Sequence, residues 1–178
     1  MKLLIASDIH GSEKYCRALI DEYNSRDYNA LVLLGDILYH GPRNDLPEEY
    51  APKEVFELLT PISDSILAIR GNCEAEVDDV VLPFPISAMY AVIYDGCVTM
   101  YLSHGHRELP KLKRGSVYLT GHTHIPKAEW DDERLYLNPG SVSIPKNGTP
   151  HSFMRYENRV FTWHDIVTGE EYMRQEIK

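Results

Sequence analysis

The chain has 178 residues, 43% hydrophobic and 25% charged, with a formal net charge of -9. Such a length suits one domain over residues 1–178, and the composition is that of a chain able to bury a core rather than remain disordered. The acidic balance argues against a nucleic-acid polymer as partner, because that binding draws on Lys and Arg replacing counterions on phosphates, whereas a bound cation can still hold one small anion locally.

The first apolar run, residues 3–6, is cut short by Ser7 and Asp8. It is far below the length of a signal-peptide core or a membrane span, so a cytoplasmic protein with no membrane partner is expected. A helix over residues 13–23 follows, with Cys16, Leu19, Ile20 and Tyr23 at helical spacing; then an apolar run over 31–34; then a helix over 53–59 behind Pro52, with Val55, Leu58 and Leu59 on one face; then a strand over 66–69. That alternation predicts parallel βαβ units. Between the second strand and second helix, residues 39–52 hold Pro42, Pro47 and Pro52 and form the longest irregular connection, a kind of segment that often carries function.

From Pro85 onward the helical period fades, and strand-like runs are joined at Asp95-Gly96, Asp131-Asp132 and Glu157-Asn158, which read as hairpin turns. The expectation is a layered α/β domain whose second sheet packs on the first. Cys16, Cys73 and Cys97 are odd in number and lack a C-x-x-C spacing, so reduced thiols are expected rather than a disulfide framework or a structural zinc site.

Chemistry-bearing residues gather where apolar runs end. Asp8 and His10 follow the first strand, an i, i+2 pair that would point to one side on extended chain. Gly35-Asp36 closes the second run, Gly71-Asn72 the third, His104 a later one and Gly121-His122-Thr123-His124 another. In α/β sheets the carboxyl ends of strands form the ligand crevice, so these distant residues can converge there. An isolated Asp-x-His or His-x-His often serves only as polar punctuation in a turn. Five such blocks in succession point instead to a metal-ligand set.

In their order, Asp8-Ile9-His10, Gly35-Asp36, Gly71-Asn72, His104 and Gly121-His122-Thr123-His124 resemble the blocks of the calcineurin-like metallophosphoesterases. Ser7 to Gly11, Gly41-Pro42-Arg43-Asn44, Arg70-Gly71-Asn72-Cys73 and the stretch 138–146 narrow the resemblance to the YfcE-like phosphodiesterases. The resemblance implies an α-β-β-α sandwich of two packed sheets and two divalent metal ions. One ion would be held by Asp8, His10, Asp36 and His124, the other by Asp36, Asn72, His104 and His122, with Asp36 bridging. Mixed nitrogen and oxygen donors suit manganese, iron, zinc or nickel better than magnesium or calcium, and the resemblance puts manganese foremost. The chemistry expected of such a pair is in-line attack on a small phosphodiester by a metal-activated hydroxide. Two dications, two carboxylates and a hydroxide leave a net positive charge that a diester monoanion neutralises, which favours diesters over monoesters.

The resemblance has one departure at the reacting end. Many relatives carry a histidine after the Gly-Asn block, thought to assist the leaving group; Cys73 stands there, followed by Glu74. A thiol, with an unperturbed pKa near about 8.5, is the poorer proton donor, or simply a small residue that fills space beside Asn72. Asn72, Cys73, His104 and Arg43 are the residues expected to meet the substrate. Arg43, with His40 nearby, would clamp phosphate oxygens unless an acid such as Asp45 or Glu48 pairs with it. His106 is expected to support the metal shell, the stretch 138–146 to form a rigid turn beneath the site, and His151 and His164 have no assigned role. Relatives also suggest a homo-oligomer. The competing expectations are a non-catalytic scaffold of the same fold and a phosphomonoesterase.

Overall fold

The computed structural model describes residues 1–108 and 111–177. Its elements are β1 (Lys2–Ala6), α1 (Glu13–Asn24), β2 (Ala30–Leu33), α2 (Pro52–Leu59), a 3-10 turn (Thr60–Ser65), β3 (Ile66–Ala68) and α3 (Glu76–Val81). After these come β4 (Ala91–Asp95), β5 (Val98–Leu102), β6 (Val117–Leu119), β7 (Lys127–Asp131), β8 (Arg134–Asn138), β9 (Ser152–Glu157), β10 (Val160–Asp165) and β11 (Glu171–Glu176). The two longer helices and three leading strands lie within a residue of their expected bounds. The short α3 was not anticipated, since its six residues are too few to show a period.

Two mixed sheets pack face to face. One has the order β11-β10-β9-β1-β2-β3, the other β4-β5-β6-β8-β7. β1 is central, and its period of two divides its apolar side chains between two cores: Leu4 and Ala6 join α1, α2 and the segment after α3, while Leu3 and Ile5 join the layer between the sheets. β2 repeats the division, with Leu31 and Leu33 on the helical side and Val32 facing the second sheet. Continuous apolar runs therefore occur where a strand is covered on both faces. α1 begins where the Ser12 hydroxyl accepts from the Tyr15 N–H at 3.5 Å, and it buries Tyr15, Cys16, Leu19 and Ile20.

The three hairpins of the second half are present, each turned one residue later than expected. Asp95, Asp131 and Glu157 close their ladders opposite Val98, Arg134 and Val160, so the loops are 96–97, 132–133 and 158–159. Asn158 and Arg159 both take positive φ, +51° and +64°, as a two-residue turn between twisted strands requires.

β1, β2 and β3 run parallel, as do β5, β6 and β8. The carboxyl ends of both parallel sets thus open on shared ground. The seam is crossed there by the His122 N–H on Asp8 Oδ2 at 3.0 Å, while the Gly121 N–H on the His104 carbonyl at 3.0 Å and the Asp8 N–H on the Gly35 carbonyl at 3.1 Å extend the pairing within each sheet. Among the described residues no helix is long and apolar enough to cross a membrane.

Candidate metal centre

Asp8 and His10 sit in the loop after β1, Asp36 after β2, Asn72 after β3, His104 after β5, and His122 and His124 after β6. Asp8, His10, Asp36, His122 and His124 all hold left-handed backbone, with φ between +49° and +67°. Each such residue costs energy that its surroundings must repay, and strain of this kind collects at functional sites. It also corrects the expectation for Asp8 and His10. They do not converge by alternation on extended chain; left-handed backbone at residues 8 and 10, on either side of Ile9, curls the loop so that both side chains face inward.

The convergence is tight. Ligand atoms of Asp8, His10 and His124 lie within 4.8 Å of one another, as do those of Asp36, His104 and His122 and those of His10, Asp36 and Cys73. His124 Nε2 is 3.3 Å and His10 Nε2 3.6 Å from Asp8 Oδ1. Asp36 Oδ2 lies 3.4 Å from His104 Nε2 and 3.7 Å from His10 Nε2, so its carboxylate stands between the two histidine groups. His104 Nε2 is 3.1 Å from Asn72 Oδ1, and the His122 ring centroid is 5.1 Å from that of His104.

The hydrogen bonds around these rings show what the arrangement lacks. Nδ1 of His10, His104 and His124 donates to the carbonyls of Tyr39, Leu34 and Ile144 at 2.8, 2.6 and 2.6 Å. Each neutral ring then turns a bare Nε2 lone pair inward. His10 Nε2 and His124 Nε2 face each other at 3.2 Å, an acceptor against an acceptor. Asp8 Oδ1, fully buried, has no hydrogen-bond donor, while Oδ2 takes the His122 N–H at 3.0 Å. Acceptors pointed at one another in a buried space call for positive charge between them, and this donor set fits divalent cations.

Titration tells the same story. Burial alone would raise the Asp8 carboxyl, but the imidazoles of His10, His124 and His104 outweigh it and hold the group far below the usual range. Burial would lower His104, yet Asp36 and Asp8 push it up to about 9. His10 is raised against its own burial by Asp8.

Two glycines make room for this packing. At Gly35, with φ +96°, a Cβ would sit 2.6 Å from the Gly71 nitrogen and 2.8 Å from His104 Nδ1; at Gly71 it would run into Asp36. Neither position admits a side chain.

Cys73 borders the cluster. Its N–H donates to Asp36 Oδ1 at 2.9 Å, and its sulfur accepts from Asn72 Nδ2 at 3.2 Å, which leaves the Asn72 amide oxygen facing His104. Burial and then the Asp36 charge push the Cys73 thiol well above its ordinary pKa.

Arg43 reaches the cleft in front of the cluster, a space of about 450 Å³ bounded also by Asn72, His122, His124 and Lys146. Neither suggested acid takes it: Glu48 pairs with Lys14 instead. His40 turns elsewhere, its ring packed edge-on against Tyr39 at 4.6 Å and Tyr50 at 5.1 Å. His106 stands 5.3 Å from His104 and 6.1 Å from His122, ring to ring, beside the cluster rather than within it.

Glu74 was overlooked as a functional residue. Its buried carboxylate accepts from the backbone N–H groups of Asp36, Ile37 and Gly71 at 3.0, 2.6 and 2.5 Å, tying the β2 loop to the β3 loop. Its only sequence signal is an acid three residues after Gly71. The stretch 138–146 lies beneath the site as expected: the Ser141 and Ser143 hydroxyls both donate to the Asp8 carbonyl, at 2.8 and 3.1 Å, and Asn138 Nδ2 donates to the Gly121 carbonyl at 2.6 Å.

Comparison with known proteins agrees with this geometry. The curated Phosphodiesterase YfcE of Escherichia coli (strain K12) is 44% identical over 166 residues, which cover 91% of this chain and 90% of that protein. A solved structure of YfcE, described as a phosphoesterase from E. coli, superposes with a TM-score of 0.96 at 41% identity over 100% of both chains. Vps29 of Entamoeba histolytica, solved with zinc, shares the fold at a TM-score of 0.66 and 19% identity, with 100% of both chains covered. The calcineurin-like phosphoesterase superfamily domain matches residues 1–159, and the chain belongs to that superfamily.

Proposed function

We propose that the chain, folded as one domain over residues 1–178, is a metal-dependent phosphodiesterase that uses two divalent cations, manganese foremost, to hydrolyse small phosphodiesters. The observation that carries this reading is the Asp36 carboxylate standing between the inward-facing Nε2 atoms of His10 and His104, each of these rings fixed through Nδ1. Bound there, the cations supply an activated water and neutralise charge on the phosphoryl oxygens.

Asp8, His10, Asp36 and His124 would hold one cation, and Asp36, Asn72, His104 and His122 the other. The chain's own residues do the rest. Arg43 offers a guanidinium to a phosphate oxygen in the cleft, and Lys146 brings a second positive charge to its lining. Cys73 keeps Asn72 oriented, and its raised pKa keeps the thiol protonated at neutral pH. The name of the 44%-identical relative supports the diester preference.

The test is to strip the purified protein with chelator, restore manganese, and compare bis-p-nitrophenyl phosphate with p-nitrophenyl phosphate, with Asp36→Asn as control. Manganese-dependent cleavage of the diester, faster than that of the monoester and reduced at least about a hundredfold in the variant, is the expected result. A folded protein that binds manganese yet cleaves neither ester would point to a scaffold instead.

A further inference from the structure

Two clefts meet over the Asp36 cluster. The polar one, described above, has Lys146 in its lining. The other, about 420 Å³, is lined by Tyr39 and Pro42 of the proline-bearing loop and by Cys73 and Ala75, and its exposed surface is mostly carbon. Arg43, Asn44 and Asn72 line both and form the ridge between them. A phosphodiester has two ester arms. A phosphoryl group seated at the ridge would send one arm into each cleft, and the clefts differ in chemistry.

Tyr39 is the distinctive wall of the carbon-lined cleft. The residue is 42% exposed, so an aromatic side chain is open to solvent beside the polar site. The ring is nevertheless held. Its backbone carbonyl accepts from His10 Nδ1 at 2.8 Å, and the ring meets His40 edge-on at 4.6 Å, which in turn meets Tyr50 edge-on at 5.1 Å. An aromatic residue whose backbone is tied to the metal-binding loop and whose ring packs on a row of rings is a preformed stacking platform, with little ordering left for a ligand to impose.

We propose that this second cleft binds a planar aromatic group on one arm of the phosphodiester, stacked on Tyr39, and so selects aryl-bearing diesters. The proposal rests on the phosphodiesterase reading and adds the class of substrate.

Phenylphosphonate and methylphosphonate carry the same anionic head and differ only in the ring, so their dissociation constants on the manganese-loaded protein, measured calorimetrically, isolate the platform. Phenylphosphonate is expected to bind at least about tenfold more tightly. That ratio should fall to within about twofold in Tyr39→Ala, return in Tyr39→Trp, and fall again in Ala75→Phe, which adds bulk to the cleft's lining while keeping Tyr39 in the chain. Equal affinities in the unaltered protein, or a ratio unchanged by both Tyr39→Ala and Ala75→Phe, would overturn the aromatic subsite and leave the phosphodiesterase reading standing. Binding of neither phosphonate, with no cleavage of bis-p-nitrophenyl phosphate, would remove both.

Discussion

Glu74 shows how a residue can govern a site it does not enter. Three backbone N–H groups converge on its buried carboxylate, and two of them belong to Asp36 and to Gly71, which packs against Asp36. Burial, with the Asp36 charge behind it, raises its pKa, and those three donors work in the opposite sense. Glu74→Gln keeps the size but replaces one acceptor oxygen with an amide that offers N–H to N–H. Groups that orient metal ligands typically cost 10–100-fold in metal affinity or activity when lost. Manganese titration should show a loss on that order in Glu74→Gln, with the unfolding temperature as the check that the fold persists.

At the scale of elements, the stretch 138–146 and the β1 loop act as one unit. The Asp8 carbonyl, on one of the left-handed residues of that loop, receives both the Ser141 and Ser143 hydroxyls, and the Val142 N–H donates to the Ser7 carbonyl at 3.1 Å. His151 ties α1 to the same stretch, its Nδ1 on the Val142 carbonyl at 2.9 Å and its Nε2 accepting from the Tyr15 hydroxyl at 3.0 Å. Replacing both serines by alanine strands a buried carbonyl, which typically costs about 1–3 kcal/mol. Urea unfolding of the metal-free double variant should show a loss in that range, and the left-handed loop should bind manganese more weakly.

A second element-scale consequence concerns His164 on β10. Its ring is buried against Phe153, with Nε2 at 2.8 Å from the Thr162 hydroxyl. Burial, then the nearby Arg155 charge, lowers its pKa below the ordinary 6.5. The unfolded chain therefore binds a proton near pH 6.5 that the folded chain refuses, so this residue's contribution is complete above that pH and declines as the pH falls below it. The drop in urea midpoint between pH 7.5 and pH 5.5 should be smaller in His164→Gln than in the parent protein.

At the scale of the molecule, β1 and β2 contribute to both hydrophobic layers, so neither layer can come apart while the other stays intact. Thermal unfolding should accordingly be a single transition whose calorimetric and van't Hoff enthalpies agree; two separate transitions would contradict one domain. Because the centre is assembled only on folding, a cation that binds the native state alone stabilises it by mass action, by about 2.7 kcal/mol at a hundred times its dissociation constant. The transition of chelator-treated protein should move upward on adding manganese, and much less so in Asp36→Asn.

Much of this was legible in the sequence because it is local. The apolar periods behind β1, α1, β2, α2 and β3, the hairpins, and the successive Asp, His and Asn blocks at strand ends are written in neighbouring residues, and the blocks in order were enough to mark the family. What lay beyond it depends on contacts between residues far apart in the chain. The one-residue shift of each hairpin turn was set by ladder pairing, and the convergence of Asp8 with His10 by left-handed backbone rather than strand alternation. Glu74 acquires its role from amides in the β2 loop, 37 and 38 residues before it. Whether Arg43 or His40 faces the cleft was decided by the rings of Tyr39 and Tyr50 that hold His40. Local spacing determines which groups are available and where a strand ends; only tertiary packing, by bringing the two parallel strand sets to one seam, determines which lone pairs face one another and are left in need of a cation.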